Sequence, residues 1–348
     1  MKIYLDNIIF SIQKAGGISI RWKELLSSIS RSELQQAVYY IQYKNSSANI
    51  YDQEIKRMMP SDHMIQRKHY YFSRLFSLHL PEQEDKFIFY SSYYRVSSNR
   101  NAINVLTFHD CIQEFYMKGL QNKVAIFMKR RAVKKADHII CNSYTTKRDL
   151  MAVYNYPEQQ ISVIYSGVSP CFFPMDSTIR PNSLLFVGSR AAYKRFDFVI
   201  ALLKHNPGWR LTVVGGGDFS KRELALMTEV RNRVEHLQGI TESRLNELYN
   251  AATCLIHPSQ YEGFGVPVVE AMRAGCPVVA FACPAVKEIA GEGALLFDRY
   301  DVHVCSQLID SLQNVEIRKK LQKKAFIVAQ KYSWEKVGCE TVQLLQNI

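Results

Sequence analysis

Two glutamates separated by seven residues, Glu262 and Glu270, are the side chains whose spacing points most directly to chemistry. They flank a glycine turn, and Pro267 suits the first turn of a helix that would follow it. In a strand–turn–helix unit, ligands bind beyond the carboxyl end of the strand, where unpaired backbone N–H groups attract anions. Carboxylates would repel a phosphate, whereas each can accept hydrogen bonds from two neighbouring sugar hydroxyls. The segment therefore predicts a nucleotide-sugar site, with phosphates at the helix start and sugar rings on the acids.

The elements that must position this segment follow from the apolar pattern of the whole chain. Short apolar runs alternate with helical stretches such as 18–29, which predicts parallel sheets with helices on both faces. The predicted strands are 3–5, 36–41, 87–90, 104–108 and 138–141, followed by 183–187, 211–214, 254–257, 278–281 and 295–297. The pattern breaks at 166–170, and Pro174 and Pro181 follow, which predicts a linker between two domains.

The bulk composition is that of a globular protein of two ordinary domains. The chain has 348 residues, of which 47% are hydrophobic and 22% charged. It contains no run of 18 or more apolar residues and does not begin with a secretory signal. Its eight cysteines form no C-x-x-C pair, so we expect reduced core residues rather than disulfides or zinc ligands. These features favour a cytoplasmic enzyme.

The positive charge is unevenly distributed. The net charge is +12, and residues 1–165 hold 23 Lys and Arg against 14 Asp and Glu. Such an excess is typical of a protein that binds an anionic partner, such as a phosphate-bearing lipid, a membrane surface or nucleic acid. It is equally typical of an ordinary solvated surface. Within 44–85, basic residues alternate with aromatic ones, which fits a membrane contact, an acceptor groove or an ordinary helix pair. The basic stretch 123–135 predicts a surface helix rather than a membrane anchor.

The stretch from Glu262 to Glu270, with 271–279 after it, resembles the signature of the retaining family-4 glycosyltransferases of the GT-B fold. This resemblance implies an α/β protein in which two doubly wound Rossmann-like domains face a central cleft. The domains would be residues 1–168, on the acceptor side, and 169–330, which bind the nucleotide sugar. A single final helix is predicted over about 315–348, with Trp334 inside it, and its part at about 331–348 would pack back on the first domain.

A basic loop follows the first predicted strand of the second domain and carries Gly188, Arg190 and Lys194. A guanidinium and an ammonium at a strand end could neutralise a diphosphate. The resembled family has an arginine directly after this glycine and a lysine five positions later. Lys194 matches that lysine, whereas Ser189 occupies the arginine position and Arg190 is displaced by one residue.

The first domain contributes two further candidates. Gly17 follows the first strand at the start of a helix, where a glycine lets the backbone approach a phosphate. His109 follows the strand 104–108, and by resemblance it contacts the transferred sugar. The predicted catalytic residues are Glu262, His109, Arg190 and Lys194. The predicted donor-binding residues are Gly17, Gly188, Arg190, Lys194, Gly263, Phe264, Gly265, Val266 and Glu270.

The predicted reaction is transfer of a hexose, with retention of configuration, from a nucleotide diphosphate sugar to a hydroxyl of a glycan or lipid-linked glycan. By resemblance, GDP-mannose is slightly favoured over UDP-sugars as the donor. The expected product is a bacterial surface polysaccharide or lipopolysaccharide. The sequence has no Asp-x-Asp motif and no metal-ligand cluster, so we expect no metal and no cofactor. We also expect no nucleic-acid partner, and a peripheral contact with the anionic inner face of a membrane. The alternatives are a nucleotide-sugar epimerase of similar architecture and a non-catalytic binding protein of the same fold.

Overall fold

A computed structural model describes residues 1–44, 49–68, 76–81, 83–176 and 178–348. The chain forms two compact units. The first comprises Met1–Gly167 together with Trp334–Ile348, and the second comprises Val168–Ser333. The chain therefore passes from the first unit to the second after Gly167 and returns at Trp334.

The first unit contains a parallel sheet with seven strands among its described residues, in the order β3-β2-β1-β4-β5-β6-β7. Its strands are β1 Lys2–Asp6, β2 Val38–Tyr43, β3 Met64–Arg67, β4 Phe87–Ser91, β5 Ala102–Phe108, β6 His138–Cys141 and β7 Ile161–Val163. Its helices are α1 Ile9–Ile12, α2 Gly17–Ser30, α3 Asp52–Met58, α4 Ile112–Tyr116, α5 Leu120–Lys135, α6 Tyr144–Tyr154 and, from the end of the chain, α14 Trp334–Asn347.

The C-terminal helix is an integral part of the first unit. Helix α14 packs along α2, and both contribute to one apolar core with β1 and β4. The contact is close, because a Cβ at Gly338 would lie 2.0 Å from Oγ of Ser28. Glycine at this position therefore allows the backbone of α14 to approach α2.

The second unit contains a parallel sheet of six strands in the order β10-β9-β8-β11-β12-β13. Its strands are β8 Ser183–Val187, β9 Arg210–Val214, β10 Val234–Leu237, β11 Cys254–His257, β12 Val278–Phe281 and β13 Leu295–Phe297. Its helices are α7 Phe196–His205, α8 Lys221–Leu226, α9 Glu242–Ala251, α10 Val266–Arg273, α11 Pro284–Ala290, α12 Val302–Ser311 and α13 Val315–Ala329.

Strand order decides where a ligand can bind in each unit. In the second sheet the chain runs outward from β8 to β10 and then returns to place β11 on the other side of β8. The loops that leave β8 and β11 therefore diverge, and a crevice opens between them at the carboxyl ends of the strands. The first sheet has the same reversal between β1 and β4. The predicted site residues Lys194 and Glu262 follow β8 and β11 respectively.

The structure confirms every strand predicted from the apolar pattern, within a few residues at the ends. Three strands were missed, β3, β7 and β10, because they are short, and β3 and β10 carry polar residues that interrupt the apolar run. The single final helix proposed over 315–348 is wrong. It is two helices, α13 and α14, and Trp334 begins the second instead of lying inside one.

The basic and aromatic stretch within 44–85 is only partly described. Its residues Tyr70, Tyr71, Phe72 and Arg74 lie outside the described residues. Of the remainder, 52–58 is helical and 64–67 is β3, and the three interpretations of this segment stay predictions.

Candidate functional site

The carboxylate of Glu262 lies between two basic side chains at the end of β11. Lys194 Nζ is 2.5 Å from Oε1 of Glu262 and donates a hydrogen bond to it. His257, the last residue of β11, places Nε2 2.8 Å from the same oxygen. That nitrogen has no aligned hydrogen-bond partner, so the His257 contact is electrostatic. All three residues are buried.

These contacts fix the charge of Glu262. Burial by itself would favour the neutral acid, but the Lys194 ammonium and then the His257 imidazole outweigh it and hold the pKa of Glu262 well below its usual range. Burial likewise disfavours the Lys194 ammonium, yet Glu262 raises the pKa of Lys194. The pair is therefore ionised at physiological pH. His257 received no role in the sequence analysis, although its position five residues before Glu262, at a strand end, was a usable signal.

A glycine turn connects Glu262 to α10. Gly265 is the N-cap of this helix and has a φ of 100°, a left-handed conformation that favours glycine. The side chain of Phe264 is buried edge-on against the ring of Tyr332, which packs this turn against the unit. Val266 is the first residue of α10, where backbone N–H groups have no partner within the helix. The turn thus places amide donors beside the Glu262 carboxylate.

Glu270 lies on α10 in a different electrostatic environment. Its Oε2 accepts a hydrogen bond of 3.0 Å from the hydroxyl of Tyr249, on α9. Burial raises the pKa of Glu270 to about 7, the Tyr249 hydrogen bond opposes that rise, and Glu242 adds to it. The two glutamates of the motif therefore differ, because one is held ionised and the other titrates near neutrality. Tyr249 was missed by the sequence analysis, because nothing in the pattern of α9 marks it.

The guanidinium of Arg190 binds the glycine turn that follows β9. Nε donates to Oε1 of Glu223 at 2.6 Å, and Nη1 donates to the carbonyl oxygen of Gly215 at 2.9 Å. Nη2 donates to the carbonyl oxygens of Gly217 and Asp218 at 2.9 and 2.8 Å. Four of the five N–H donors of Arg190 are thus used on the protein.

Arg190 also fills the space that the glycine turn leaves. A Cβ at Gly216, whose φ is 81°, would lie 2.5 Å from Nη1 of Arg190. The guanidinium lies 4.5 Å from the ring centroid of Phe219. The contact of Arg190 with a phosphate stays a prediction, and what the structure describes is a side chain that holds the loop after β9.

This arrangement predicts the effect of replacing Arg190. Arg190→Lys keeps the charge, but a lysine cannot reach the three carbonyl oxygens and Glu223 together. We expect the free energy of unfolding to fall by about 2 kcal/mol, since several hydrogen bonds to a charged group are lost, two of them part-buried. Thermal melts would measure the loss, with Arg244→Lys, in an exposed ion pair with Glu247, as the control. Equal melting temperatures for the two variants would contradict this bracing role.

A cavity of about 720 Å³ adjoins these loops within the second unit. Ser189, Arg190, Gly216 and Gln260 are among its lining residues, which follow the carboxyl ends of β8, β9 and β11. Its volume is in the range typical of small-molecule sites. Another cavity, of about 300 Å³, lies at the amino ends of β8, β9 and β10. Because ligands of open α/β sheets bind at the carboxyl ends, the larger cavity adjoins the candidate site, although Lys194, Glu262 and Glu270 are not among its lining residues.

Two predicted site residues lie in the first unit. Gly17 is the first residue of α2, and a Cβ there would meet no atom within 4 Å, so the backbone has open space beside it. His109 directly follows β5 and is half-buried. Burial, then the charges of Arg21 and Lys129, lower the pKa of His109 to about 3. The imidazole is therefore neutral at physiological pH, when it can donate one hydrogen bond and accept another.

The loop that carries His109 is fixed by a buried ion pair. Lys129 Nζ donates to the carbonyl oxygen of Asp110 at 2.5 Å and to Oε2 of Glu114 at 3.0 Å. Glu114 also accepts a hydrogen bond from the hydroxyl of Tyr154. Lys129 is 1% exposed, so this residue of the predicted surface helix faces the core. One helical turn faces the core here, which a count of charges does not reveal.

Within the described ranges, no group of three or more His, Cys, Asp or Glu side chains could hold a metal ion. No helix in those ranges combines the length and apolarity needed to cross a bilayer. All eight cysteines lie in the described part of the chain and none of them forms a disulfide; six are buried, whereas Cys171 and Cys339 are exposed.

Solved structures place the chain in a fold class. The sucrose-phosphate synthase of Thermosynechococcus elongatus matches with a TM-score of 0.75 and 18% identity, over 100% of this chain and 98% of that one. WaaG, a glycosyltransferase involved in lipopolysaccharide biosynthesis, matches with a TM-score of 0.68 and 16% identity, over 99% of each chain. The protein has the two-domain, Rossmann-like α/β fold of the GT-B class.

Sequence comparison places it in a family. The profile described as "Glycosyltransferase Family 4" matches residues 16–171, and the profile described as "Glycosyl transferases group 1" matches residues 176–327. The two matches fall in the first and second halves of the chain respectively. The chain belongs to the family-4 type of GT-B glycosyltransferases.

Curated relatives match over part of their length. The O-antigen chain mannosyltransferase RfbU of Salmonella typhimurium is 28% identical over 218 residues, which are 60% of this chain and 61% of that protein. The D-inositol 3-phosphate glycosyltransferase of Acidothermus cellulolyticus is 31% identical over 232 residues, 58% of this chain and 51% of that protein. The matched segments thus span about half to three fifths of these relatives.

Proposed function

We propose that this protein transfers a hexose from a nucleotide diphosphate sugar to a hydroxyl of a glycan or lipid-linked glycan, with retention of anomeric configuration. The observation that carries the proposal is Glu262, a buried carboxylate kept ionised by Lys194 and His257 beside the glycine turn before α10. An ionised carboxylate next to the amides at the start of a helix suits a ligand that presents hydroxyls on one part and phosphates on another.

Each site residue has a role in this proposal. Glu262 accepts hydrogen bonds from hydroxyls of the donor sugar, and the amides of 263–266 lie against the phosphates. Lys194 has two N–H donors beyond the one used on Glu262, which can neutralise charge that grows on the departing diphosphate. Glu270 binds the ribose. His109, as a neutral imidazole, orients the transferred sugar.

No step in the proposed reaction requires a metal ion. Family resemblance suggests attack of the acceptor hydroxyl on the same face of the sugar that the diphosphate leaves. The bond from the anomeric carbon to the phosphate oxygen breaks, the bond to the acceptor oxygen forms, and the departing phosphate oxygen takes the acceptor proton. Positive charge at Lys194 and amides at the start of α10 stabilise the leaving group. Retention of configuration follows from attack on that face.

The donor is most simply a GDP- or UDP-hexose. GDP-mannose is favoured because relatives include RfbU and the O-antigen chain mannosyltransferase B of Escherichia coli, both named as mannosyltransferases. A UDP-sugar is supported by the structure of Anabaena Alr3699/HepE, solved with UDP and glucose, which has a TM-score of 0.74 at 16% identity over 100% of each chain.

A donor panel tests the proposal. Purified protein would be incubated with GDP- and UDP-hexoses, with and without a lipid-linked glycan extract, and with a chelator in parallel. We expect one donor to release nucleoside diphosphate, and we expect the acceptor to increase the rate of that release. The chelator should leave the rate unchanged, and NMR of the product should show that the anomeric configuration is retained. Isomerised nucleotide sugar without acceptor would indicate an epimerase, and binding of donor without turnover would indicate a non-catalytic protein.

The titration of Glu270 predicts coupling between nucleotide binding and proton release. Below its pKa of about 7 the carboxyl is protonated, and above it the carboxylate can accept two ribose hydroxyls. Binding to the carboxylate lowers its pKa, so nucleotide affinity should rise between about pH 6 and pH 8, with a proton released near neutrality. Calorimetry in two buffers of different ionisation enthalpy measures that proton.

Glu270→Gln is the control for proton release, because the amide keeps the shape of the side chain and does not titrate. In that variant we expect the same binding enthalpy in both buffers. Equal enthalpies for the unmodified protein would contradict ribose binding by Glu270. The folding stability of the unliganded protein should change in the opposite direction to nucleotide affinity. The raised pKa of Glu270 contributes stability that is fully present below about pH 4.5 and is lost as the pH rises through about 7.

A further inference from the structure

Several large apolar side chains are exposed on the surface formed by α4, α5 and the loop between them. Surfaces that face water rarely carry so many exposed apolar residues close together. We call the surface formed by these elements the α4–α5 surface. Its exposed apolar residues are Phe115, Tyr116, Met117, Leu120, Val124 and Phe127. Leu120 is 78% exposed and Phe127 66% exposed. Six such residues lie within thirteen positions, and clustered exposed apolar side chains mark interaction sites more often than scattered ones do.

The geometry of α5 turns this patch outward. Leu120, Val124 and Phe127 follow the i, i+4, i+7 spacing that places side chains on one face of a helix. The opposite face is fixed to the unit, because Ala132 and Val133 are buried in the later part of the helix. Burial of Lys129 against Glu114 adds a polar anchor on that inner face. The helix therefore cannot rotate to cover its exposed apolar residues without losing the buried pair.

The charge around the patch has one sign. Residues 115–136 contain seven Lys and Arg residues and no Asp or Glu. Of these, Lys118, Lys123, Lys134 and Lys135 are exposed, and none of the four has an ion-pair partner among the described residues. An apolar tip with a basic border is the composition of a surface that lies in the interface of an anionic bilayer.

We propose that the α4–α5 surface docks the protein on an anionic lipid membrane, with Met117, Leu120, Val124 and Phe127 entering the headgroup region and the four lysines binding lipid phosphates. A second copy of the chain is a poorer occupant, because a symmetric contact would place like charges opposite each other. Nucleic acid would satisfy the lysines but leave the apolar tip in water. Docking on a membrane differs from the prediction that 123–135 is an ordinary surface helix, because only the structure shows that the apolar face of this helix is exposed.

The docking contact does not depend on catalysis, whereas its purpose, bringing the protein to a lipid-linked acceptor, rests on the proposed function. A lipid-linked glycan presents its diphosphate at the same depth as lipid headgroups. A protein held at that depth meets the acceptor by diffusion in two dimensions instead of three. Vesicle binding and donor turnover are therefore measured separately, so that failure of one leaves the other interpretable.

Sedimentation with vesicles tests the contact. The full chain would be mixed with phosphatidylcholine vesicles, with or without about one third phosphatidylglycerol. We expect the protein to bind the anionic vesicles and to bind them much more weakly at high salt. Each surface lysine near an anionic bilayer contributes about fivefold to partitioning, and salt screens this electrostatic attraction. Leu120→Ser with Phe127→Ser, and separately the Gln variant of the four lysines, should each reduce partitioning at least about tenfold.

Ile317→Ser with Ile327→Ser is the matched control, because these residues are also exposed and lie on α13 among lysines. We expect that variant to bind vesicles like the unmodified protein. Far-ultraviolet circular dichroism and nucleotide binding would confirm that each variant is folded. A Phe127→Trp variant reports insertion by comparison with the unmodified protein, in which Trp22 and Trp209 are buried and Trp334 packs against the core of the first unit. Its emission should shift to shorter wavelength with anionic vesicles.

Several outcomes would overturn the proposal. One is failure of the unmodified protein to sediment with anionic vesicles at low salt. Another is binding that survives both sets of substitutions or is lost in the α13 control. Absence of a shift for Phe127→Trp during binding would show that a different surface faces the lipid.

Discussion

Glu262→Ala is expected to reduce sugar transfer by about a thousandfold or more, because the proposed contact to the donor sugar is lost where charge develops. The substitution also leaves the Lys194 ammonium buried without its partner, and such a loss typically costs about 3–5 kcal/mol of folding stability. Loss of activity in this variant alone would therefore be ambiguous. A second substitution is needed to separate the reaction from the fold.

Glu262→Gln supplies that separation, because the amide keeps the volume and still accepts a hydrogen bond from Lys194. We expect transfer to fall at least about a hundredfold while nucleoside diphosphate binding, measured by calorimetry, changes little. Glu247→Gln is the matched control, since it removes an ion pair with Arg244 at the surface, where such pairs contribute about 0–1 kcal/mol. Full activity of a folded Glu262→Gln protein would refute the role given to this carboxylate.

Lys194→Met is expected to lower kcat by about a hundredfold and to make the remaining activity depend on pH. Methionine keeps the length and burial of the side chain but removes the charge that stabilises the departing diphosphate. It also removes the main influence that lowers the pKa of Glu262, while burial, which raises that pKa, stays. The carboxyl should then titrate at higher pH than in the unmodified protein.

The sign of this pH effect is a strong test. In the unmodified protein the depressed pKa keeps Glu262 ionised, and the resulting stability is lost only at acid pH, as the pH falls through that pKa. In Lys194→Met, activity should rise with pH as Glu262 ionises. Lys204→Met is the control, because its ion pair with Glu229 is exposed. A Lys194→Met variant whose pH profile parallels that of the unmodified protein would show that Lys194 does not govern this carboxylate.

Arg190 and Lys194 illustrate how a linear motif and a folded site differ. In sequence, both are cations in one loop after β8, and the same phosphate role was assigned to each. In the structure their partners separate them: Lys194 contacts a carboxylate of the candidate site, whereas Arg190 holds carbonyl oxygens of the next loop. A short distance along the chain does not imply a shared direction, because each residue of an irregular loop points its side chain differently.

The amino-acid sequence by itself determined the architecture and the location of the motif. Buried parallel strands are continuous apolar runs, and this local signal survives without knowledge of their neighbours. The turn before α10 was equally readable, since Gly265 and Pro267 have conformational preferences that act within a few residues. The short strands β3, β7 and β10 were not found, because pairing with a neighbour, and not their own composition, makes them strands.

Tertiary structure alone decided the electrostatics of the site. Glu262 and Glu270 are the same residue type in one motif, yet one lies beside Lys194 and His257 and the other is half-buried with a hydrogen bond from Tyr249. Those neighbours come from distant positions or from other elements, so only the folded chain brings the charges within interaction distance. The burial of Lys129 and the exposure of Phe127 on the same helix were decided in the same way, because solvent exposure is a property of packing and not of composition.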